Sequence, residues 1–270
     1  MKKHNIPKIV IIVLLCALQL VPLYITITVG LKPQTDTSSY WKLPSRPYVQ
    51  NFITAFRAGN MLRAYGNTFI ITLFTTLSVL LLSAMAAYPL ARYPSRFNKA
   101  VRTFFLSIMM VPALSLLVPI YVLLLRLGGI SKYQGIIPVH AAFNLPLAIY
   151  MFSNFIRTIP AELDEAALID GCSVYSIFYR IIFPMLKPVV VSVIILTAVP
   201  VWNDYQYSVY FLHKPHMRVI TLAVASFFQQ SGSNPNTAAA AALMGIIPVV
   251  ILYIILQKYF IKGMVDGAIK

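Results

Sequence analysis

Long apolar runs alternate along this chain with short polar stretches that carry its charges. A helix crosses the ~30 Å hydrocarbon core of a bilayer in about 20 residues, so the interval between charges serves as a ruler. It predicts six membrane-spanning helices, over residues 9–29, 68–91, 103–125, 133–156, 188–212 and 238–256, the fifth with Asp204 inside it. Between the last two, the polar sequence of residues 229–236 predicts a loop, and 222–228 an apolar segment lying at the bilayer surface or dipping into it. Pro22, Pro112, Pro119, Pro138, Pro146 and Pro248 fall within the runs, where each removes a backbone donor and can kink its helix. No internal repeat is visible. The expected fold is a single all-α integral membrane domain over 1–270.

Composition agrees. Hydrophobic residues make up 59% of the chain and charged residues 11%, with mean hydropathy +0.77, against roughly 25% charged in soluble domains. A net charge of +15 could suggest nucleic acid as a partner, but such binders gather their cations on one face. Here Lys and Arg punctuate the apolar runs, the pattern by which cytoplasmic cations orient a membrane protein; no nucleic-acid role is expected. With the N-terminus inside, 13 of the 22 Lys and Arg are cytoplasmic and 9 are not. The inner turn 93–102 is short and densely basic, whereas five of the outer charges spread over 32–63. Both termini are therefore expected in the cytoplasm. The first apolar run is too long for a signal-peptide core and lacks an A-x-A site, so it reads as a retained span. Cys16 and Cys172 have neither disulfide nor metal-ligand spacing.

The stretch 157–187, cytoplasmic in this topology, holds Glu162, Asp164, Glu165 and Asp170, four of the seven acids in the chain. Pro160 suits a first helical position, acids suit a helix N-terminus, and Gly171 supplies a permissive C′ residue. Ser173 can cap a second helix, in which Val174, Ile177, Phe178, Ile181 and Ile182 form one apolar stripe opposite Tyr175, Tyr179 and Arg180, with Pro184 expected to stop it. An acidic, amphipathic helix pair in the cytosol fits a protein partner better than the negative inner leaflet.

Glu165-Ala166-Ala167, Asp170-Gly171, Ile182-Phe183-Pro184 and Lys187-Pro188 together resemble the EAA loop of ABC-importer permeases. Asn67-Thr68, Ala87-Tyr88, Ala91-Arg92, Asn144-Leu145-Pro146, Trp202-Asn203-Asp204 and the closing Gly263, Gly267, Ala268 and Lys270 are similar to the sugar branch of that family, nearest the maltose-transporter type of small permease subunit. The resemblance implies a bacterial plasma-membrane subunit that couples to ATPase subunits through Glu165, Ala166, Ala167, Asp170, Gly171 and Pro184. In it Glu165 faces basic residues of the ATPase, the alanines permit close approach and Gly171 allows the turn, while Glu162 and Asp164 are expected merely to complement the helix dipole in solvent. The tail residues Gly263, Gly267 and Lys270 would reach the ATPase dimer. Expected partners are a second, different permease, two ATPases, an extracytoplasmic solute-binding protein and a sugar. The chain has no G-x-x-x-x-G-K-[ST] loop; it is expected to be no enzyme and to bind no cofactor, ATP and Mg being used by its partners.

For the substrate path, polar and aromatic groups within spans are the physical candidates: Asn144, Trp202, Asn203, Asp204 and Tyr205, with His140, Asn154 and Tyr207 alongside. Asn144 and Asn203 could equally be interhelical hydrogen bonds, and the tyrosines an interfacial belt. The alternatives are a permease of this family for polyamine, phosphate or iron, and a secondary transporter. One acid within the spans is a poor ion relay, and no filter or charge ring suggests a channel.

Overall fold

The computed structural model describes residues 6–229 and 234–268. Its helices are α1 (Ile6–Gly30), α2 (Gln50–Ala58), α3 (Met61–Arg92), α4 (Arg96–Ile108), α5 (Leu117–Arg126), α6 (Tyr133–Thr158), α7 (Glu162–Ile169), α8 (Val174–Ile177), α9 (Phe183–Met185), α10 (Lys187–Trp202), α11 (Ser208–Phe211), α12 (Ile220–Gln229) and α13 (Pro235–Ala268). Among the described residues there is no strand. Helices α1, α3, α6 and α13 are each long and apolar enough to cross a bilayer. There are up to six crossings if two bent pairs each count as one: α4 with Ala113–Arg126, bent by 93°, and Val174–Met185 with α10, bent by 75°.

The bent pairs are where hydropathy and helicity part. The run 103–125 is interrupted after Ile108, and Pro112 (φ −61°, ψ 122°) leads instead into a 3-10 turn, Ala113–Leu116. Proline lacks the amide that would continue α4 and pushes the residue before it away from helical geometry. The run 188–212 likewise stops being helical at Trp202, leaving Asp204 in a turn. By contrast Pro22, Pro138, Pro146 and Pro248 lie inside unbroken helices. Residues 235 and 236, expected in a loop, already belong to α13: the Asn234 side chain accepts from the amides of Asn236 (3.0 Å) and Thr237 (3.2 Å), and Pro235 takes the first helical position.

The chain divides into two compact units. The first comprises Met1–Tyr65 and Val219–Pro248. Ile9, Leu14, Leu18 and Leu20 of α1 are more than half exposed, as befits a helix apolar on every side with lipid as its surroundings. Two buried amides satisfy its last carbonyls and the carbonyl of Lys32 just beyond: Asn51 donates to Gly30 (2.9 Å) and Lys32 (2.7 Å), and Asn236 to Val29 and Lys32 (both 2.9 Å). Ala238 to Ala241 are buried, and a Cβ on Gly30 would stand 3.3 Å from the Ala240 amide, so small side chains set this close approach.

The second unit comprises Gly66–Arg218 and Val249–Lys270. Its core joins Val79, Ala84 and Ala87 of α3, Phe152 and Ile156 of α6, Ile177, Phe178 and Ile182 of the loop, and Val193 of α10. The loop 157–187 thus packs on the same core as the long helices.

Candidate functional site

The loop is built by local chemistry first. Ile159 leaves α6 in extended conformation (φ −80°, ψ 128°), as a residue before proline must. The next helix therefore starts only at Glu162, which puts Pro160 two residues outside α7 rather than at its first position. Glu162, Asp164 and Glu165 occupy the first turn against the positive end of the helix. At the other end Gly171 (φ +80°) closes a Schellman turn: its amide donates to Leu168 (3.0 Å) and the Cys172 amide to Ala167 (2.9 Å). Ser173 then caps α8 by accepting from the Ser176 amide at 3.3 Å.

Pro184 does not stop this second helix. Residues Phe178–Ile182 form a π turn, α9 continues from it with Pro184 in its first turn, and the bend falls at Leu186. A π turn is bonded from i to i+5, and proline in a new first turn forfeits no bond. Of the predicted stripe, Ile177, Phe178 and Ile182 are buried, Ile181 is partly buried and Val174 lies 39% exposed at its edge. Phe178 packs at 5.4 Å from the Tyr88 ring, while Tyr175 and Tyr179 are exposed on the opposite face.

One acid corrects the expectation that Glu162 and Asp164 both stay solvated. Glu162 is exposed, but Asp164 is turned inward, its Oδ2 2.6 Å from Arg92 Nε, with only 10% of the Arg side chain and 13% of the Asp side chain accessible. Tyr88 donates to the same oxygen at 3.4 Å. Arg92 also donates to the carbonyls of Ile159 (2.9 Å) and Pro160 (3.4 Å). The last turn of α3 therefore grips both the hinge and the first turn of α7. Ala166 and Ala167 part company: Ala166 is exposed, whereas Ala167 is buried in the unit's own core. Exposed beside Glu165 are Leu168, Ile169 at 87% and Asp170, leaving α7 with an outward surface of apolar side chains rimmed by acids. Gly263 and Gly267 are helical in α13; their environments, like Lys270 itself, lie outside the described residues.

Of the candidates for a substrate path, His140, Asp204 and Tyr207 come together, while Asn144, Asn154 and Asn203 make other contacts. The Asn144 and Asn203 amides each donate to the carbonyl four residues back, His140 (2.8 Å) and Val199 (3.0 Å), local bonds within α6 and at the end of α10. Trp202 is buried and Tyr205 is 41% exposed. Asp204 caps the turn into α11, accepting from the amides of Tyr207 (3.1 Å) and Ser208 (2.9 Å) and from the Ser208 hydroxyl (2.7 Å), and its Oδ2 lies 3.5 Å from His140 Nε2. Tyr207 stacks on Phe143 at 5.1 Å and meets His140 edge-on at 5.7 Å. Asn154 accepts from Arg102 at 3.0 Å. Asp204 is a structural cap tied to α6, in a turn that would otherwise carry unpaired amides.

Residues 79–266 match the family described as "Binding-protein-dependent transport system inner membrane component". The chain is 41% identical over 251 residues, 93% of its own length and 91% of the relative's, to the melibiose/raffinose/stachyose import permease protein MelC of Bacillus subtilis (strain 168). In fold it is similar, with a TM-score of 0.80 and 23% identity over 96% of this chain and 98% of the other, to a chain of a bacterial ABC transporter involved in the import of the acidic polysaccharide alginate. A bacterial alginate transporter in complex with an alginate pentasaccharide-bound periplasmic protein also matches, with a TM-score of 0.66 and 16% identity over 94% of this chain and 93% of the other.

Proposed function

This chain belongs to the family of binding-protein-dependent transport system inner membrane components, and we propose that it is one of two permease subunits forming the path of an ATP-driven oligosaccharide importer. The observation that carries the coupling role is the two-sided loop. Its inner side is part of the core shared with α3, α6 and α10, and its outer side presents Glu165, Ala166, Leu168, Ile169 and Asp170 to solvent. A surface of this kind suits a cleft in another protein. Movement of ATPase subunits around ATP and Mg would pull α7, and the Gly171 turn and the Arg92–Asp164 pair would pass the displacement to the long helices. Pro184 shapes the exit from the loop, and Gly263, Gly267 and Lys270 would add a second ATPase contact.

Six crossings with both termini in the cytoplasm belong to this reading, supported by the 13 to 9 distribution of cations and by the two bent pairs. A sugar as substrate is supported by the likeness to the Bacillus melibiose/raffinose/stachyose import permease, and an extracytoplasmic binding protein by the binding-protein-dependent family and the alginate complex. The second permease would differ from this one, as in the sugar branch.

The test is copurification from the native membrane together with uptake of labelled melibiose or raffinose. Glu165→Lys should release the ATPase and lower uptake at least about tenfold, the loss of a central interface contact worth ~1.4 kcal/mol or more, with the amount of chain in the membrane unchanged. Unaltered uptake and copurification would remove the coupling assignment.

A further inference from the structure

Where α3 gives way to α4, residues 93–95 turn over a cavity of about 390 Å³ that also meets the last turn of α6. Its lining includes four cations, Arg96, Lys99, Arg102 and Arg157, and no acid. The cations are only partly engaged. Arg102 gives one N–H to Asn154 (3.0 Å), Arg157 one to the Leu90 carbonyl (3.4 Å), and the buried Arg102 Nε has no acceptor. Arg96 and Lys99 are exposed. The acid held at this end of α3, Asp164, is engaged by Arg92. Four like charges around one hollow repel one another and are relieved by an anion with several oxygen acceptors.

Position in the fold selects among such anions. The apolar helices α3 and α6 end here, at Arg92 and Thr158, so the cavity lies where hydrocarbon gives way to headgroups. Helix α4, which leads away from it, has no buried residue. Its cations at 96, 99 and 102 lie on one face, and Phe97, Val101, Phe104 and Ile108 recur at i, i+4, i+7 and i+11 on the other, with Phe97 75% and Phe104 63% exposed. The cations of α4 thus face the cavity, and its apolar side chains face away from it. Basic pockets between membrane helices at the cytoplasmic boundary hold anionic headgroups.

We propose that this cavity binds the phosphate of an anionic phospholipid, with Arg96, Lys99, Arg102 and Arg157 around the phosphate. The inference needs α3 and α6 to span a bilayer and is independent of which solute is carried.

The experiment uses the intact, delipidated assembly, titrated with phosphatidylglycerol or phosphatidylcholine and read by native mass spectrometry. The wild-type assembly should retain phosphatidylglycerol about tenfold better, and Arg96→Gln with Lys99→Gln, both exposed, should bring it down to the phosphatidylcholine level, since each cation near an anionic headgroup contributes separately. Equal retention of the two lipids would overturn the proposal, as would unchanged retention in the double variant. Displacement of phosphatidylglycerol by millimolar inorganic phosphate would make this a site for free phosphate and overturn the lipid assignment. Loss of the ATPase from the double variant with lipid retention unchanged would assign the cations to an acidic protein partner instead. Binding-protein-dependent uptake, measured in parallel, separates failure of this site from failure of the transport reading.

Discussion

Removing the Asp164 charge should loosen the loop from the end of α3, and the size of the effect follows from the geometry. Oδ2 sits 2.6 Å from Arg92 Nε with 13% and 10% of the two side chains accessible. Exposed pairs contribute about 0–1 kcal/mol, whereas breaking a fully buried pair costs about 3–5 kcal/mol because the surviving charge stays desolvated. A pair roughly nine-tenths buried should therefore show a coupling of about 2 kcal/mol, below the buried limit because the survivor can reach water. The assay is a double-mutant cycle of Asp164→Asn and Arg92→Gln, with unfolding by a denaturing detergent in mixed micelles. Arg92→Gln should be the costlier single change by about 1 kcal/mol, since it also removes the donor to Ile159, and the double variant should be no worse than Arg92→Gln. In the assembled importer the Asp164 variant should hydrolyse more ATP per sugar moved. Single effects that add within ~0.5 kcal/mol would refute the clamp, and a ratio of hydrolysis to uptake equal to wild type would refute its part in coupling.

Three further outcomes follow from particular contacts. Gly171→Ala should cost about 1–2 kcal/mol through backbone strain alone, because φ is +80° and an added Cβ meets nothing within 4 Å; Gly171→Asn should recover part of that in the same unfolding assay. Asn67→Ala should cost about 2–4 kcal/mol, since its amide donates to the carbonyls of His216 and Arg218 (both 2.9 Å) and its oxygen accepts from Tyr133 at 2.6 Å; a shift of thermal midpoint no larger than that of Tyr133→Phe would refute this. Gly135→Ala should abolish accumulation in the membrane, because its Cβ would collide with the Gly129 carbonyl oxygen; normal levels would show that this turn can open.

Much of the site was legible along the chain because its causes are local. A glycine at C′ and a serine at the N-cap act on amides two to five residues away, so Gly171 and Ser173 could be read directly. The Asn234-Pro235 start of α13 follows the same rule, but its polar neighbours carry the composition of a loop. The break after Ile108 was harder, since α4, the 3-10 turn and α5 are nearly all apolar and hydropathy measures partition into lipid rather than backbone course. Pro112 was its one signal, and prolines 138 and 146 lie in a helix that does not break.

What the sequence by itself determined is the membrane, the helices and the two-part loop, because transfer of apolar side chains from water, caps and turns depend on residue type and near neighbours. Which acid of that loop is an anchor and which faces outward was decided by tertiary structure. Asp164 meets Arg92 across 72 positions of chain, and Glu165, one residue on, points away from the core. The same holds for the cations of 93–102, which read as orientation signals until α6 brings Arg157 to them. A charge carries no mark of its partner; only packing, by deciding what water can still reach, turns it into a clamp, a docking rim or a pocket.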